Sequence, residues 1–301
     1  MDTGIYHAVP YPLRPNIMSR GRQIALDYFS LLKPRVVLLH LFTASTAMFL
    51  AAGGLPRLKT AMLVLAGGGL VAGAANTLNC YFDRSLDATM PRTQNRPLPA
   101  GRLAPYQALV FGLVCGVVGL SLLALLSLEV AALALSALAF YVLVYTLWLK
   151  RSSSLSAVLS SGIGAVPPLI GWMAVREQLA VTPFLLFGII ALWTPPHFWA
   201  LARSRGDEYK KAGLRVIPGV RPDLWMSAFI LLLMAASVLL AFSDGLGIIY
   251  VVAAATLGLG YCLSFLRLYL RGLSGARWLY LYSILYLVLL FAAMILDRLV
   301  S

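Results

Sequence analysis

Charge is scarce in this sequence. Only 12% of its 301 residues are Asp, Glu, Lys or Arg, where a soluble domain carries about 25%. A water-soluble fold of this length cannot clothe its surface with so few charges, and that class is excluded. Cysteine is scarcer: Cys80, Cys115 and Cys262 lie far apart and share no paired spacing, which excludes a disulfide framework and a zinc knuckle. The run Gly67-Gly68-Gly69 lacks the Lys-Ser/Thr that a phosphate-binding P-loop needs, which leaves close helix packing as its role. Residues 1–30 hold no apolar stretch followed by a small-residue cleavage site, so no cleaved signal peptide is expected. Acid is also short, with 11 Asp+Glu against 24 Lys+Arg.

What fills the chain is apolar. Hydrophobic residues make up 60%, and the mean hydropathy is +0.85. Nine apolar runs are expected to span a membrane: 34–53, 59–79, 106–126, 129–148, 156–175, 182–200, 225–243, 246–266 and 278–297. Each approaches the ~20 residues that cross ~30 Å of hydrocarbon. With the N-terminus placed inside, 20 of the 24 basic residues fall on the inner side and only Arg57, Lys59, Arg176 and Arg298 outside. That is a strong positive-inside asymmetry. It predicts an inner N-terminus, an outer C-terminus, and inner loops at 82–105 and 201–224. The basic residues therefore report topology and attraction to anionic lipid. No nucleic-acid-reading module accompanies them, so no nucleic acid is expected as partner.

Two polar clusters stand out at predicted inner helix ends. In the first, Asn79, Asp83 and Asp87 recur at i, i+4, i+8. If the helix continues through them, all three line one face. Like charges at that spacing repel unless a cation sits between them, or unless Arg84 neutralises them locally. Carboxylate and amide oxygens suit Mg²⁺, which binds one or two carboxylates plus substrate phosphates. The next segment, 90–99, is stiffened by Pro91, Pro97 and Pro99 and carries Arg92 and Arg96. Guanidinium forks match phosphate oxygens. Acids, a cation and arginines are together what a diphosphate requires.

The second cluster runs from Trp193 through Pro195-Pro196-His197 to Asp207, Glu208, Lys210 and Lys211. The proline pair is expected to kink or start a helix, with His197 in its first turns. Its imidazole has four readings: iron ligand, proton carrier, partner of a carboxylate, or structural histidine bonded to backbone. Between the clusters lies Tyr145-Thr146-Leu147-Trp148-Leu149-Lys150-Arg151, readable as an interfacial anchor or as phosphate ligands.

At these residues the chain resembles a family. Asn79-x-x-x-Asp83-x-x-x-Asp87 is similar to the first aspartate-rich motif of the UbiA superfamily of intramembrane prenyltransferases. The strings LLKPRVVLLHLFTA (31–44), AANTLNCYFDRSLDATMPRTQNRPL (74–98), YTLWLKR (145–151), GAVPPLIGW (164–172) and WTPPHFWALA (193–202) resemble its protoheme IX farnesyltransferase branch. The resemblance implies an all-α polytopic membrane protein: nine transmembrane helices around a central cavity open to the cytoplasmic side, over residues 28–301, after a cytoplasmic arm of 1–27. It implies Mg²⁺ as cofactor, with Asn79, Asp83 and Asp87 holding the metal and the diphosphate of farnesyl diphosphate. Asp207 and Glu208 would form a second acidic site, and Arg92, Arg96, Lys150, Arg151 and Lys210 would bind diphosphate.

His197 matches the histidine of the heme branch, where quinone-making relatives carry an acid. The implied reaction joins a farnesyl group to a vinyl group of protoheme IX with addition of water. It yields heme O in the cytoplasmic membrane of a prokaryote, with handover to a heme A synthase or a terminal oxidase. Prenylation of an aromatic or quinone ring, and non-catalytic heme transport, are the alternatives. Two departures from the family pattern are Cys80, where an acid or amide is frequent, and Ser85, where an acid is frequent.

Overall fold

The structure, a computed structural model, describes residues 17–300 apart from 177, 179, 207, 209–212 and 214–216. Among the described residues its regular structure is all helix, and nine helices are long and apolar enough to cross a membrane. The short amphipathic α1 (Ile17–Leu31) precedes α2 (Pro34–Ala52) and α3 (Leu58–Phe82). A six-residue α4 (Arg84–Thr89) follows, then α5 (Pro105–Ala124). After α6 (Leu128–Leu149) and α7 (Ser156–Met173) come α8 (Val181–Ser204), α9 (Pro222–Asp244), α10 (Ile248–Arg271) and α11 (Leu273–Val300). The nine spans occupy the nine predicted runs, displaced by a few residues at their ends.

Each span packs on the next, α2 on α3, α3 on α5, and so on to α10 on α11, and α11 returns to α2, so the order closes into a ring. Further contacts cross it, among them α2 with α7, α3 with α6 and α8 with α11. Small residues permit the close approaches. A methyl group on Gly119 of α5 would lie 2.7 Å from the Gly67 carbonyl oxygen of α3, and one on Gly171 of α7 would run into the Ala44 carbonyl of α2. Gly67 thus serves packing, as its sequence context implies. Outward faces stay apolar, with Leu113, Val117 and Phe242 exposed. At most half of any span's most apolar stretch is buried. Such a surface requires lipid around it.

Three local features depart from regular helices. Over Phe140–Leu149, α6 changes from α to π winding. Each i→i+5 turn holds one residue more than an α turn, which rotates the side chains that follow about the helix axis. In α7, winding breaks into Ser156–Leu159, Ser161–Gly164 and Val166–Met173. Pro167 and Pro168 have no N–H to give, and Ser160 and Ser161 turn their hydroxyls onto backbone carbonyls of the same helix. The third feature corrects one of two expectations. Pro195 and Pro196 do not start a helix: α8 runs through both, and both are buried. They cannot donate to the carbonyls of Ala191 and Leu192, yet packing on α9 and α11 holds the helix together. His197 therefore sits inside a 24-residue helix, about two turns from its end.

Candidate active site

The first acidic cluster forms where α3 gives way to α4. Helical bonding carries through the junction, since the Asp83 amide donates to the Asn79 carbonyl at 2.9 Å and the Asp87 amide to the Asp83 carbonyl at 2.7 Å. Asn79, Asp83 and Asp87 therefore keep the one-sided alignment expected from their spacing. All three are buried.

What the spacing does not reveal is who faces them. Lys33, the residue before α2, donates from Nζ to Asn79 Oδ1 at 2.8 Å. Lys150, just past the π-wound end of α6, donates to Asp83 Oδ2 at 2.6 Å. The Asn79 amide nitrogen donates to Asp83 Oδ2 at 2.8 Å and to Thr146 Oγ1 at 3.2 Å. Because an ammonium has no acceptor and a carboxylate no donor, this network leaves the Asn79 amide one orientation. Its oxygen faces Lys33, and its nitrogen steadies Asp83. Three distant segments thus meet around the Asn79–Asp83 pair.

Lys33 is held unusually. Its backbone is left-handed, with φ 52° and ψ 64°, a conformation most side chains avoid. Burial pushes its ammonium below the ordinary lysine range, with nearby Asp87 opposing and Arg96 and Lys150 assisting the shift. Replacing Lys33 with Met should keep the aliphatic stem and remove the charge. One charged hydrogen bond is worth about 1.5–3 kcal/mol, so kcat/KM for the prenyl diphosphate should fall by roughly ten- to a hundredfold. A steady-state comparison in reconstituted membranes checks this, and an unchanged kcat/KM would remove Lys33 from the site.

Asp87 has its own partner. Arg96 donates to Asp87 Oδ2 at 2.7 Å, and Thr93 Oγ1 donates to the Asp87 carbonyl at 2.9 Å. The proline-rich loop is thereby folded back over α4. Leu98 and Leu103 pack with Cys80, Ala108 and Leu31 beneath it. Arg102 Nε donates to both carboxylate oxygens of buried Asp27 of α1, at 3.0 and 3.1 Å. Cys80 is buried in this apolar layer. Arg84 does not neutralise them: it lies over the Tyr81 ring at 4.8 Å and bonds the Tyr81 carbonyl. Ser85 is exposed.

Among the described residues, Arg92 and Glu208 are not brought into this network. Arg92 is exposed. Glu208 pairs with Arg205 on its own turn at 3.2 Å. Asp207 and Lys210 lie outside the described residues, as does the side chain of Arg151. Among the described residues no three His, Cys or acidic side chains gather around a common metal position. The oxygens of Asp83 and Asp87 still suit Mg²⁺, a hard cation that uses one or two protein carboxylates and takes its remaining ligands from phosphate and water. Lys33 and Thr146 were missed as site residues. The Lys33-Pro34 step and the position of Thr146 one helical turn before Lys150 were their only local signals.

His197 occupies a second, aromatic environment. Its ring stacks on Trp193 at 4.3 Å and 21°, lies 4.9 Å from Tyr280 of α11, and meets Phe198 edge-on at 5.9 Å. Its Nδ1 is 2.7 Å from Ser283 Oγ of α11. Flat apolar rings around one imidazole suit a planar macrocycle better than a diphosphate.

With this geometry in hand, the chain can be set beside known proteins. The model of the UbiA prenyltransferase family matches residues 40–285. The chain belongs to the UbiA prenyltransferase family. Within it, the chain is 42% identical over 282 residues to a protoheme IX farnesyltransferase of Symbiobacterium thermophilum, covering 91% of this chain and 95% of that one. A protein of the same name from a Roseiflexus species is 41% identical over 301 residues, but the chain spans 56% of its length. Among solved structures, a digeranylgeranylglyceryl phosphate synthase shares the UbiA fold with a TM-score of 0.78 at 17% identity, over 92% of this chain and 99% of that one. A UbiA homologue from Archaeoglobus fulgidus, bound to GPP and Mg²⁺, aligns with a TM-score of 0.64 at 18% identity, over 89% and 99%. These likenesses agree with the nine-helix membrane architecture read from hydropathy.

Proposed function

We propose that the protein transfers the farnesyl group of farnesyl diphosphate to a vinyl group of protoheme IX, with addition of water, giving heme O and diphosphate. The observation that carries this reading is the match to the Symbiobacterium protoheme IX farnesyltransferase over nearly the full length of both chains. The acids and bases around Asn79 and the aromatic pocket of His197 supply what each substrate needs.

The chemistry follows from the residues. Asp83 and Asp87 would hold Mg²⁺, which when bound neutralises the leaving diphosphate as a Lewis acid. Lys150 and Arg96, held against these carboxylates, lie within a side chain's reach of the same oxygens. With a cation on the acids, Lys150 and Arg96 would be free to turn to the phosphate oxygens. Lys33 and Asn79 keep Asp83 in place throughout. The C1–O bond of farnesyl diphosphate then breaks, and both electrons leave with the diphosphate. The terminal vinyl carbon of protoheme attacks C1. The adjacent carbon becomes cationic and takes the oxygen of water, whose proton goes to the diphosphate or to solvent. His197 serves the heme half, as ligand to the iron or by polarising that water. Asp207 and Glu208 as a second acidic site, and Arg92, Arg151 and Lys210 on outer phosphate oxygens, complete the reading. The bilayer suits both apolar substrates and keeps bulk water from the first cation. A heme A synthase or a terminal oxidase would receive the product.

The orientation belongs to the same proposal: N-terminus inside, C-terminus outside, and the central cavity open to the cytoplasm. Cysteine labelling at 53–58, 127, 177 and 244 should mark all four loops as external. An external 92–102 loop would reverse the topology. The activity itself is tested by incubating membranes containing the protein with protoheme and farnesyl diphosphate and reading the extracted hemes by mass. A protoheme mass raised by one farnesyl group and one hydroxyl supports the reading, and a prenylated quinone with unchanged heme would overturn it.

A further inference from the structure

His197 shares its hydrogen-bond partner with more groups than one serine hydroxyl can serve as donor. Ser283 is fully buried on α11. Its Oγ lies 2.6 Å from the Tyr280 carbonyl oxygen and 2.7 Å from His197 Nδ1. A hydroxyl owns one proton, and a carbonyl oxygen can only accept. The Ser283 proton therefore goes to Tyr280, and Oγ presents lone pairs to His197. Nδ1 must be the donor. A neutral imidazole carries a single N–H, so the bare nitrogen is Nε2.

The same serine also fixes the ring's surroundings. Its backbone carbonyl accepts the indole N–H of Trp193 at 2.7 Å, and that indole stacks on His197 at 4.3 Å. Trp193 and His197 are one helical turn apart on α8, and both are anchored to one residue of α11. Ring rotation would break the Nδ1 bond and disturb the stack together.

We propose that Ser283 is a positioning residue that sets His197 in the Nδ1–H tautomer and thereby offers Nε2 to the iron of protoheme. This rests on the heme reading of His197 given above. Iron-ligating histidines gain basicity and a fixed ring plane from a bond at the other nitrogen. Here the partner is a hydroxyl already committed as donor, so it cannot stabilise the opposite tautomer. With Nε2 anchored, the porphyrin is held in one rotational setting, which decides which vinyl group meets the prenyl chain.

The test uses the full chain in nanodiscs. Histidine labelled with ¹⁵N gives few ring signals, since the chain has three histidines, and His197→Gln assigns the relevant pair. The unaltered protein should show a protonated Nδ1 and a bare Nε2, and the reverse pattern would overturn the proposal without any variant at Ser283. Protoheme is then added, reduced, and its iron–histidine stretch recorded by resonance Raman. Ser283→Ala should lower that frequency and weaken protoheme binding about ten- to a hundredfold, with farnesyl diphosphate binding unchanged as the check on folding. Ser283→Thr should restore both. If His197→Ala keeps the iron–histidine band, the heme reading of His197 falls. If His197→Ala abolishes the band while Ser283→Ala leaves frequency and affinity untouched, the reading of His197 stands and the role of Ser283 is lost.

Discussion

Asp83→Asn and Asp87→Asn should each reduce heme O formation by a thousandfold or more while leaving membrane insertion intact. Asparagine preserves shape and one acceptor, so α3 and α4 should fold unchanged. What goes is the charge. Asp83 is 1% exposed and accepts from both Lys150 and Asn79. Without its charge, Lys150 faces a neutral amide, and a metal loses one of two anionic ligands. Electrostatic stabilisation of a leaving diphosphate supplies several kcal/mol, and each 1.36 kcal/mol is tenfold in rate. The structural cost is smaller, because the Lys150 and Arg96 side chains keep 21% and 27% of their exposure and can rehydrate. Diphosphate release and heme O, measured against the amount of inserted protein, decide the matter. More than a tenth of normal turnover in both variants, or full activity with Mg²⁺ chelated, would remove the ionisation step as described.

His197→Ala should separate the two substrates. Protoheme binding, followed by the Soret band, is expected to weaken on the order of a hundredfold, about 2.7 kcal/mol. Titration with farnesyl diphosphate should be unchanged, because the bonds and ring contacts of His197 run to α11 and to neighbours on α8, and not to the acid cluster. Intact binding of both substrates with lost turnover would move His197 from iron ligand to water activator. Weakened diphosphate binding with unchanged heme would place it on the wrong substrate.

These two experiments probe features of unequal legibility. Span positions follow from composition alone, because the length an apolar run needs is set by the bilayer: the predicted 34–53 is observed as Pro34–Ala52. The Asn79, Asp83, Asp87 face is equally local, a matter of helical pitch. Arg96 reaches Asp87 from nine residues on, but the other partners are not local. Lys33 reaches Asn79 from 46 residues away and Lys150 reaches Asp83 from 67, and nothing in the pattern around a KP dipeptide says where its ammonium ends. The acids appear in sequence to need a metal for neutrality, whereas in the structure each already rests on a base. Arg84, the nearest base in sequence, is diverted to Tyr81. The π winding of α6 has no signature in Phe140–Leu149, yet it sets the facing of Thr146 and Lys150. Around Pro195 and Pro196 hydropathy and local rules disagree: the apolar run 182–200 continues through them, the prolines argue for an interruption, and packing on α9 and α11 settles it for the run.

The backbone of Lys33 has a consequence for how this protein can change. Its φ of 52° suits glycine, and holding another residue there costs roughly 1–3 kcal/mol, before the burial of an ammonium is added. Thermal robustness and turnover therefore pull this position in opposite directions. A screen rewarding heat resistance alone would drift toward Lys33→Gly and discard the group that orients Asn79. Selection for activity keeps the lysine, and the N-terminal end of α2 stays one of the weaker points of the bundle.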